Sequence, residues 1–336
     1  MKTLKLVLGV CVYLATFIVL CAAIGFWWLA NEYARPGPLQ QETFFTAARG
    51  QGVSAIADNL EAAGIIHDAL VFKVSMRLVR TGETLKAGEY QIPAQSSPKQ
   101  IMTMMVAGDV FERKVTVREG LTSYEIVEML KTVSDLQGEI EAVPAEGSLL
   151  PETYIYHGDQ TRADLIAEMQ TGMTKAIDEL WEGREADLPF TTKEDALTLA
   201  SIVEKETGVP SERKRVAGVF INRLREGIPL QTDPTVIYAL TKGRNKNEGQ
   251  GPLGRRLLVK DLAVDSPYNT YRNAGLPPGP IANPGRASIE AVLHPEAHQF
   301  IYFVADGSGG HVFAETLAEH NANVAKWRKI RKAKGD

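Results

Sequence analysis

The chain opens with a single uninterrupted apolar segment. Residues 6–30 contain no charged side chain. As an α-helix this segment would be about 37 Å long, enough to cross a hydrocarbon core of about 30 Å with some tilt. Two lysines precede it, and Trp27 and Trp28 lie near its far end, where indole rings favour the headgroup region. We therefore predict a transmembrane helix at 6–30, with residues 1–5 as a cytoplasmic tip and the rest of the chain outside.

A cleaved signal peptide is the alternative to a permanent anchor at this end. Its apolar core would be about 7–15 residues long, which is much shorter than residues 6–30. A polar, proline-containing segment follows at 31–41 and predicts a linker between the bilayer and the remaining chain.

Hydrophobic positions after the linker alternate between strand and helix spacing. Strands are predicted at Thr43–Ala47 and Gly88–Ile92, and amphipathic helices at Val53–Ala63 and Ala69–Val79. A further helix begins after Ser97, which is a candidate N-cap. We interpret residues 42–112 as a small β-α-β unit.

A loose pattern of a glycine followed by apolar residues at helical spacing occurs near Val53–Ala63 and returns at Gly120–Leu130, after a strand signal at Lys114–Val117. This pattern resembles the LysM class of glycan-binding modules. An ordinary packed α+β linker domain accounts for the same positions.

Composition and charge exclude several classes of protein. With 44% hydrophobic and 23% charged residues the chain is neither disordered nor fibrous, and 37 basic against 41 acidic residues give a net charge of −4. Nucleic-acid binding, which needs a basic face, is therefore not expected. The two cysteines, Cys11 and Cys21, both lie in the apolar segment. His294 and His298 are separated by Pro295, so we expect no metal site and no cofactor.

The most regular helical signal lies at Asp195–Thr207. The segment has no glycine or proline, it follows the cap candidates Thr191 and Thr192, and it is followed by Gly208. At 100° per residue, the nearest apolar residues lie about 20° to 60° from Glu206, which places this acid on the buried stripe. Burial and the negative end of the helix dipole both raise the pKa of such a carboxyl group.

A carboxyl group that stays protonated near neutral pH can act as a general acid at a glycosidic oxygen. The alternative is that Glu206 has a structural role and no catalytic one. Glu206 could instead close the helix by pairing with a nearby cation, for which the candidates are Lys205, Arg213 and Arg215.

The sequence resembles the YceG-like endolytic murein transglycosylase family (MltG), and the most specific motifs lie from this helix onward. The matching strings are ASIVEKET at 200–207, VFINRLR at 219–225, LQTDPTV at 230–236, YNTY at 268–271, GLPPG at 275–279, IANPG at 281–285 and YFVADGSGG at 302–310. LLPETY at 149–154 is similar to a further family element but has leucines where aromatic residues are common. The resemblance extends from the membrane anchor to the C-terminal region.

The resemblance implies that Glu206 is the catalytic acid and base. The family cleaves the β-1,4 bond between N-acetylmuramic acid and N-acetylglucosamine inside nascent glycan strands and leaves a 1,6-anhydromuramic end, which would terminate strand elongation. This lyase route consumes no water and needs one carboxyl group, unlike the two-carboxylate scheme of most glycosidases.

Residues suited to hold the sugar lie in the same motifs. Amide, hydroxyl and carboxylate groups bind sugar hydroxyls and acetamides, and tyrosine rings can stack on a pyranose. Asp233 could instead cap the helix that starts at Pro234, and the tyrosines could belong to the core. Arg223 is expected to pair with Glu204 or Asp233. The predicted substrate-binding residues are Asn222, Gln231, Thr232, Asp233, Tyr268, Asn269 and Tyr271.

The predicted fold class is α+β, or mixed α/β, with an N-terminal transmembrane helix, a LysM-like subdomain at 42–112 and a catalytic domain at 113–333. The resemblance implies a single-pass inner-membrane protein with a periplasmic catalytic domain. Its partners would be peptidoglycan strands, penicillin-binding proteins and other wall-synthesis proteins. A non-catalytic peptidoglycan-binding scaffold and a lysozyme-like hydrolase with Asp233 as second carboxylate are the alternative functions.

Overall fold

The computed structural model describes residues 2–79, 82–157, 160–244 and 253–334, with the side chains of residues 2–8 and 334 outside the description. Met1 and the side chains of Lys2 and Lys5, which belong to the predicted cytoplasmic tip, therefore lie outside the described residues. The chain forms two compact units, Met1–Arg113 and Lys114–Asp336. Both mix helices with short strands, which confirms the predicted fold class.

Helix α1 spans Lys2–Ala34 and exposes its apolar side chains over residues 10–28. Its segment Gly9–Ala34 is long and apolar enough to cross a membrane, as a single-pass anchor requires. The helix continues beyond the predicted end at residue 30, because Leu29 and the buried Tyr33 pack into the core of the first unit. The irregular connection is consequently shorter than the predicted linker at 31–41.

The first unit is built on an antiparallel pair of strands. Strand β1, Thr43–Ala47, pairs with β2, Gly88–Ile92. Helices α2, Val53–Ala62, and α3, Ala69–Val79, lie between them in sequence. The elements agree with the prediction, but the β-α-β interpretation is wrong, because two helices separate the strands and reverse the direction of the second strand.

Helix α4, Pro98–Ala107, completes the first unit. The Gln100 amide donates to the Ser97 hydroxyl at 3.3 Å, and the Ser97 amide donates to the Gln100 side chain at 2.8 Å. This reciprocal cap confirms Ser97 as the N-cap, since it satisfies amides at the open end of the helix.

Within its described part, the second unit contains seven α-helices, two short 3₁₀ helices and two strand pairs. Strand β3 pairs with β4, and β5 pairs with β6 as an antiparallel hairpin. In chain order the elements are β3, Arg113–Thr116; α5, Ser123–Lys131; β4, Thr153–Tyr156; α6, Arg162–Glu182; α7, Lys193–Glu206; α8, Arg213–Arg225; α9, Asp233–Thr241; α10, Arg286–Leu293; β5, Tyr302–Ala305; β6, His311–Ala314; and α11, Leu317–Lys334.

Helix α7 lies in the main core of this unit. Leu199, Ile202 and Val203 are fully buried against side chains that include those of α8 and α10. The Asp195 amide donates to the Thr192 hydroxyl at 3.1 Å, so Thr192 is the N-cap. The predicted helix is confirmed, and its buried stripe fixes the direction in which Glu206, its last residue, can point.

Candidate active site

Glu206 lies at the point where α7 ends. The following residue, Thr207, has φ −136° and ψ 126°, so the backbone leaves the helix in an extended conformation. The half-buried Glu206 side chain lines a cleft of about 580 Å³. The cleft also receives residues from the α8–α9 connection, from β5 and from the start of α11.

Thr232 holds the carboxyl group of Glu206. The Thr232 side chain is only 2% exposed, and its hydroxyl donates a hydrogen bond to Oε1 of Glu206. The Thr232 amide donates to Oγ1 of Thr270 at 3.1 Å, and this oxygen lies 2.8 Å from Oγ1 of Thr235. A network of three buried threonines therefore fixes the donor that orients Glu206.

Gln231 precedes this donor in a left-handed conformation. Its φ is 52°, which is uncommon for a residue with a side chain and costs about 1–3 kcal/mol. The Gln231 amide donates to the Thr270 carbonyl at 3.1 Å, so the same network that holds Thr232 maintains the turn. The exposed Gln231 side chain forms no hydrogen bond within the described part of the chain.

Burial raises the pKa of Glu206 above its usual range. The hydrogen bond from Thr232 opposes this increase, the negative charge of Asp233 adds to it, and the positive potentials of His311 and Arg223 reduce it. The net direction is upward, which favours a protonated carboxyl group.

The structural interpretation of Glu206 as half of an ion pair is wrong. Lys205 donates to the Gly120 carbonyl at 3.0 Å, Arg213 lies 3.8 Å from Glu204, and Arg215 binds Glu296 at 2.9 Å. None of these three cations pairs with Glu206, so its carboxyl group keeps no neutralising partner from the predicted set.

Asp233 differs from its predicted role as a helix cap. Thr232 is the N-cap residue of α9, without a side-chain cap bond, and Asp233 is already the first helical residue. Oδ1 of Asp233 instead accepts a hydrogen bond from the Tyr271 hydroxyl at 2.7 Å. Burial and this hydrogen bond raise the pKa of Tyr271, which therefore remains a donor.

Arg223 is buried and binds backbone carbonyls. Its Nε donates to Ile301 at 2.6 Å, and Nη1 donates to Pro229 at 3.1 Å and Leu230 at 2.9 Å. The predicted pairing with Glu204 or Asp233 is wrong, because these carbonyls take the guanidinium donors. Arg223 thereby connects the residue that precedes β5 to the loop that leads into Gln231.

Three predicted substrate-binding residues lie outside the lining of the cleft. The Asn222 amide donates to the carbonyls of His298 and Phe300 at 2.8 and 3.1 Å, and Asn222 lines a different cavity. Tyr268 packs against Tyr238 with ring centroids 4.9 Å apart.

Asn269 is fully buried. Its Nδ2 donates to the carbonyls of Leu262 and Val264 at 2.9 and 2.8 Å, while its Oδ1 accepts from the Tyr271 amide at 3.0 Å. Asn269 therefore shapes the loop that presents Tyr271. The structure brings Gln231, Thr232, Asp233 and Tyr271 together with Glu206.

Sequence reasoning missed a second group of residues on the cleft. Tyr302 of β5 and His320 and Asn321 of α11 line the same cavity as Glu206. The rings of Tyr302 and His320 stack with centroids 5.0 Å apart and an interplanar angle of 23°. No periodic or spacing signal marks these residues, which follow Glu206 by about 100 positions. The motif string at 302–310 pointed to this region of the chain.

The sequence is similar to a known family model, to curated relatives and to a solved structure. The sequence model of the YceG-like family matches residues 45–326. An endolytic murein transglycosylase of Bacillus subtilis is 32% identical over 309 residues, which cover 83% of this chain and 82% of the relative. One from Streptococcus pneumoniae is 30% identical over 325 residues, covering 82% of this chain and 57% of the relative. The crystal structure of a yceG-like protein of Listeria monocytogenes is similar, with a TM-score of 0.50 and 32% identity over 84% of this chain and 99% of that one.

Proposed function

This chain belongs to the YceG-like family, and on that basis we propose that it is an endolytic murein transglycosylase in which Glu206 is the catalytic acid and base. Its substrate class is the glycan strand of peptidoglycan. The observation that carries the proposal is a carboxyl group with a raised pKa, oriented by a neutral hydroxyl, on a cleft of about 580 Å³.

The reaction follows from the protonation state of Glu206. Oε1 is engaged by the Thr232 hydroxyl, so the proton is carried by Oε2, which gives it to the leaving glycosidic oxygen as the bond to C1 breaks. The resulting carboxylate then takes the proton of the C6 hydroxyl as O6 bonds to C1. The muramic ring ends as a 1,6-anhydro sugar, and Glu206 is protonated again without consuming water.

The substrate contacts that we propose are the predicted residues that line the cleft. The side-chain amide of Gln231 has no hydrogen bond in the described part of the chain and can therefore bind the sugar. The Tyr271–Asp233 pair offers a second polar contact. Thr232 acts chiefly through Glu206, since its hydroxyl is already engaged there. The amide donors of Asn222 and Asn269 are taken by backbone carbonyls, so we do not assign them to the sugar.

We also propose where the protein lies in the cell. Helix α1 would cross the inner membrane with the N-terminus in the cytoplasm, which leaves the cleft in the periplasm beside nascent glycan. Cleavage there would terminate strand elongation, and the family resemblance implies penicillin-binding proteins as neighbouring partners.

The decisive experiment compares the full-length protein with its Glu206→Gln variant on isolated glycan strands, followed by mass spectrometry. We expect anhydro ends from the wild type, no new ends from Glu206→Gln although its unfolding temperature is no lower than that of the wild type, and normal activity from the exposed control Glu226→Gln. Products heavier by one water would instead indicate a hydrolase that uses Asp233. If the wild type binds strands without cutting them, the protein is instead a non-catalytic peptidoglycan-binding scaffold.

A further inference from the structure

A cut inside a glycan strand leaves sugar on both sides of the broken bond. A cleft that performs this reaction must therefore hold at least one ring on each side of the catalytic acid. The residues proposed above as contacts are Gln231 in the α8–α9 connection, Asp233 at the start of α9, and Tyr271. A second set, on β5 and the first turns of α11, lines the same cavity and has no role in the proton transfer: Tyr302, His320 and Asn321.

This second set offers polar atoms that the protein itself does not use. Nδ1 of His320 is buried and has no hydrogen-bond partner among the described residues. The Tyr302 hydroxyl and the exposed Asn321 amide also form no hydrogen bond within that part of the chain. Polar groups that have no protein partner, on residues that line a cleft, are suited to meet a ligand.

The chemistry of the set favours a neutral polar ligand. Burial lowers the pKa of His320, and the positive charge of Arg223 lowers it further, so the imidazole is uncharged and offers one donor and one acceptor. The stacked Tyr302 ring keeps that imidazole in one orientation. An imidazole, a phenol and an amide together match hydroxyl and N-acetyl groups, which need both donors and acceptors.

We propose that Tyr302, His320 and Asn321 form a second sugar subsite, which binds an N-acetylated pyranose on the side of the scissile bond opposite the ring held by Gln231 and Asp233. The proposal rests on the proposed function, because it takes Glu206 as the point that separates the two subsites. Strand β5 and helix α11 therefore serve recognition, and α7 serves the chemistry.

Binding can be measured without cleavage in the full-length Glu206→Gln protein in detergent micelles, with peptide-free glycan strands as the probe and calorimetry as the readout. We expect His320→Ala and Asn321→Ala, each added to Glu206→Gln, to raise the dissociation constant about tenfold, as the loss of one hydrogen bond to a ligand does. Tyr302→Phe retains the ring stack and isolates the contribution of the hydroxyl.

Matched controls separate contact from destabilisation. Nδ1 of His157 is also buried without a partner among the described residues, but His157 does not line the cleft. Asn323 lies on α11, also outside the lining. His157→Ala and Asn323→Ala should therefore leave the dissociation constant unchanged.

Unchanged affinity in both His320→Ala and Asn321→Ala, with the unfolding temperature preserved, would overturn the subsite. Equal weakening by His157→Ala would overturn it as well, since the effect would then be general. If the wild type cuts no strands while His320→Ala still weakens binding, the proposed function fails and the sugar site stands. The two proposals therefore fail by different measurements.

Discussion

The hydroxyl of Thr232 donates its hydrogen bond to Oε1 of Glu206, a residue 26 positions earlier in the chain. The two residues belong to different elements, since Glu206 ends α7 and Thr232 is the N-cap of α9. Thr232 is nearly inaccessible to solvent, so a bound sugar would meet the carboxyl group that this threonine orients more readily than the threonine itself. The packing of α7 and α9 therefore determines which oxygen of Glu206 is free.

Thr232→Val should slow the reaction and move its pH profile. The hydrogen bond from Thr232 lowers the pKa of Glu206, so its loss should raise the apparent pKa of the catalytic acid. We expect kcat to fall about tenfold, an increase of about 1.4 kcal/mol in the barrier, from the lost orientation. Rates of anhydro-end formation over a range of pH provide the test. Thr232→Ser should restore most of the rate, and a profile that does not move in Thr232→Val would contradict the role.

Glu206 should make the folded protein less stable as the pH rises. Its folded-state pKa lies above the ordinary value of 4.5, so the folded state binds the proton more tightly than the unfolded state does. Below pH 4.5 the carboxyl group is protonated in both states, so its raised pKa does not reduce the free energy of unfolding. This free energy falls as the pH rises from there through the folded-state pKa. We expect Glu206→Gln to unfold at a higher temperature than the wild type at neutral pH, by about 2–4 °C for each kcal/mol, with the two converging near pH 4. A constant difference at all pH values would show that the pKa is not raised.

Asp233→Asn tests the second carboxylate. The negative charge of Asp233 raises the pKa of Glu206, so its removal should lower the apparent pKa of the catalytic acid and reduce the rate most at the alkaline end of the profile. The asparagine can still accept the bond from Tyr271, so we expect no more than about a tenfold loss at the optimum. A loss of about a thousandfold or more would instead identify Asp233 as a nucleophile or base.

Asn269→Ala tests whether this residue holds the loop or the sugar. Its three hydrogen bonds to backbone groups are fully buried, so we expect a loss of about 2–3 kcal/mol in the free energy of unfolding. The exposed neighbour Asn273 is the matched control, and Asn273→Ala should cost less than half as much. A raised KM with unchanged stability in Asn269→Ala would show a substrate contact.

Local signals in the sequence were sufficient for most elements of the fold. Ser97 and Thr192 each cap the predicted helix, and the buried stripe of α7 follows from residue spacing alone. The antiparallel pairing of β1 with β2 could not be predicted, because it depends on how two intervening helices pack.

The active site could be predicted only in part, because most of its contacts join residues that lie far apart in the sequence. Glu206 could be singled out from its position on one helix. The acceptors of Arg223 include the carbonyl of Ile301, 78 positions away, and the donor to Asp233 lies 38 positions away. Such contacts are tertiary, and no local pattern encodes them. The positions of Tyr302 and His320 on the cleft depend on the same kind of long-range packing.

Helix α1 runs without interruption from its solvent-exposed apolar stretch to Ala34, and Tyr33 is buried in the core of the first unit. Where α1 spans a bilayer, this continuity makes α1 a rigid connection between the membrane and the first unit, without a flexible linker. The first unit would keep a nearly constant height above the lipid. Any tilt of α1, for example in a thicker or thinner membrane, would tilt that unit by the same angle.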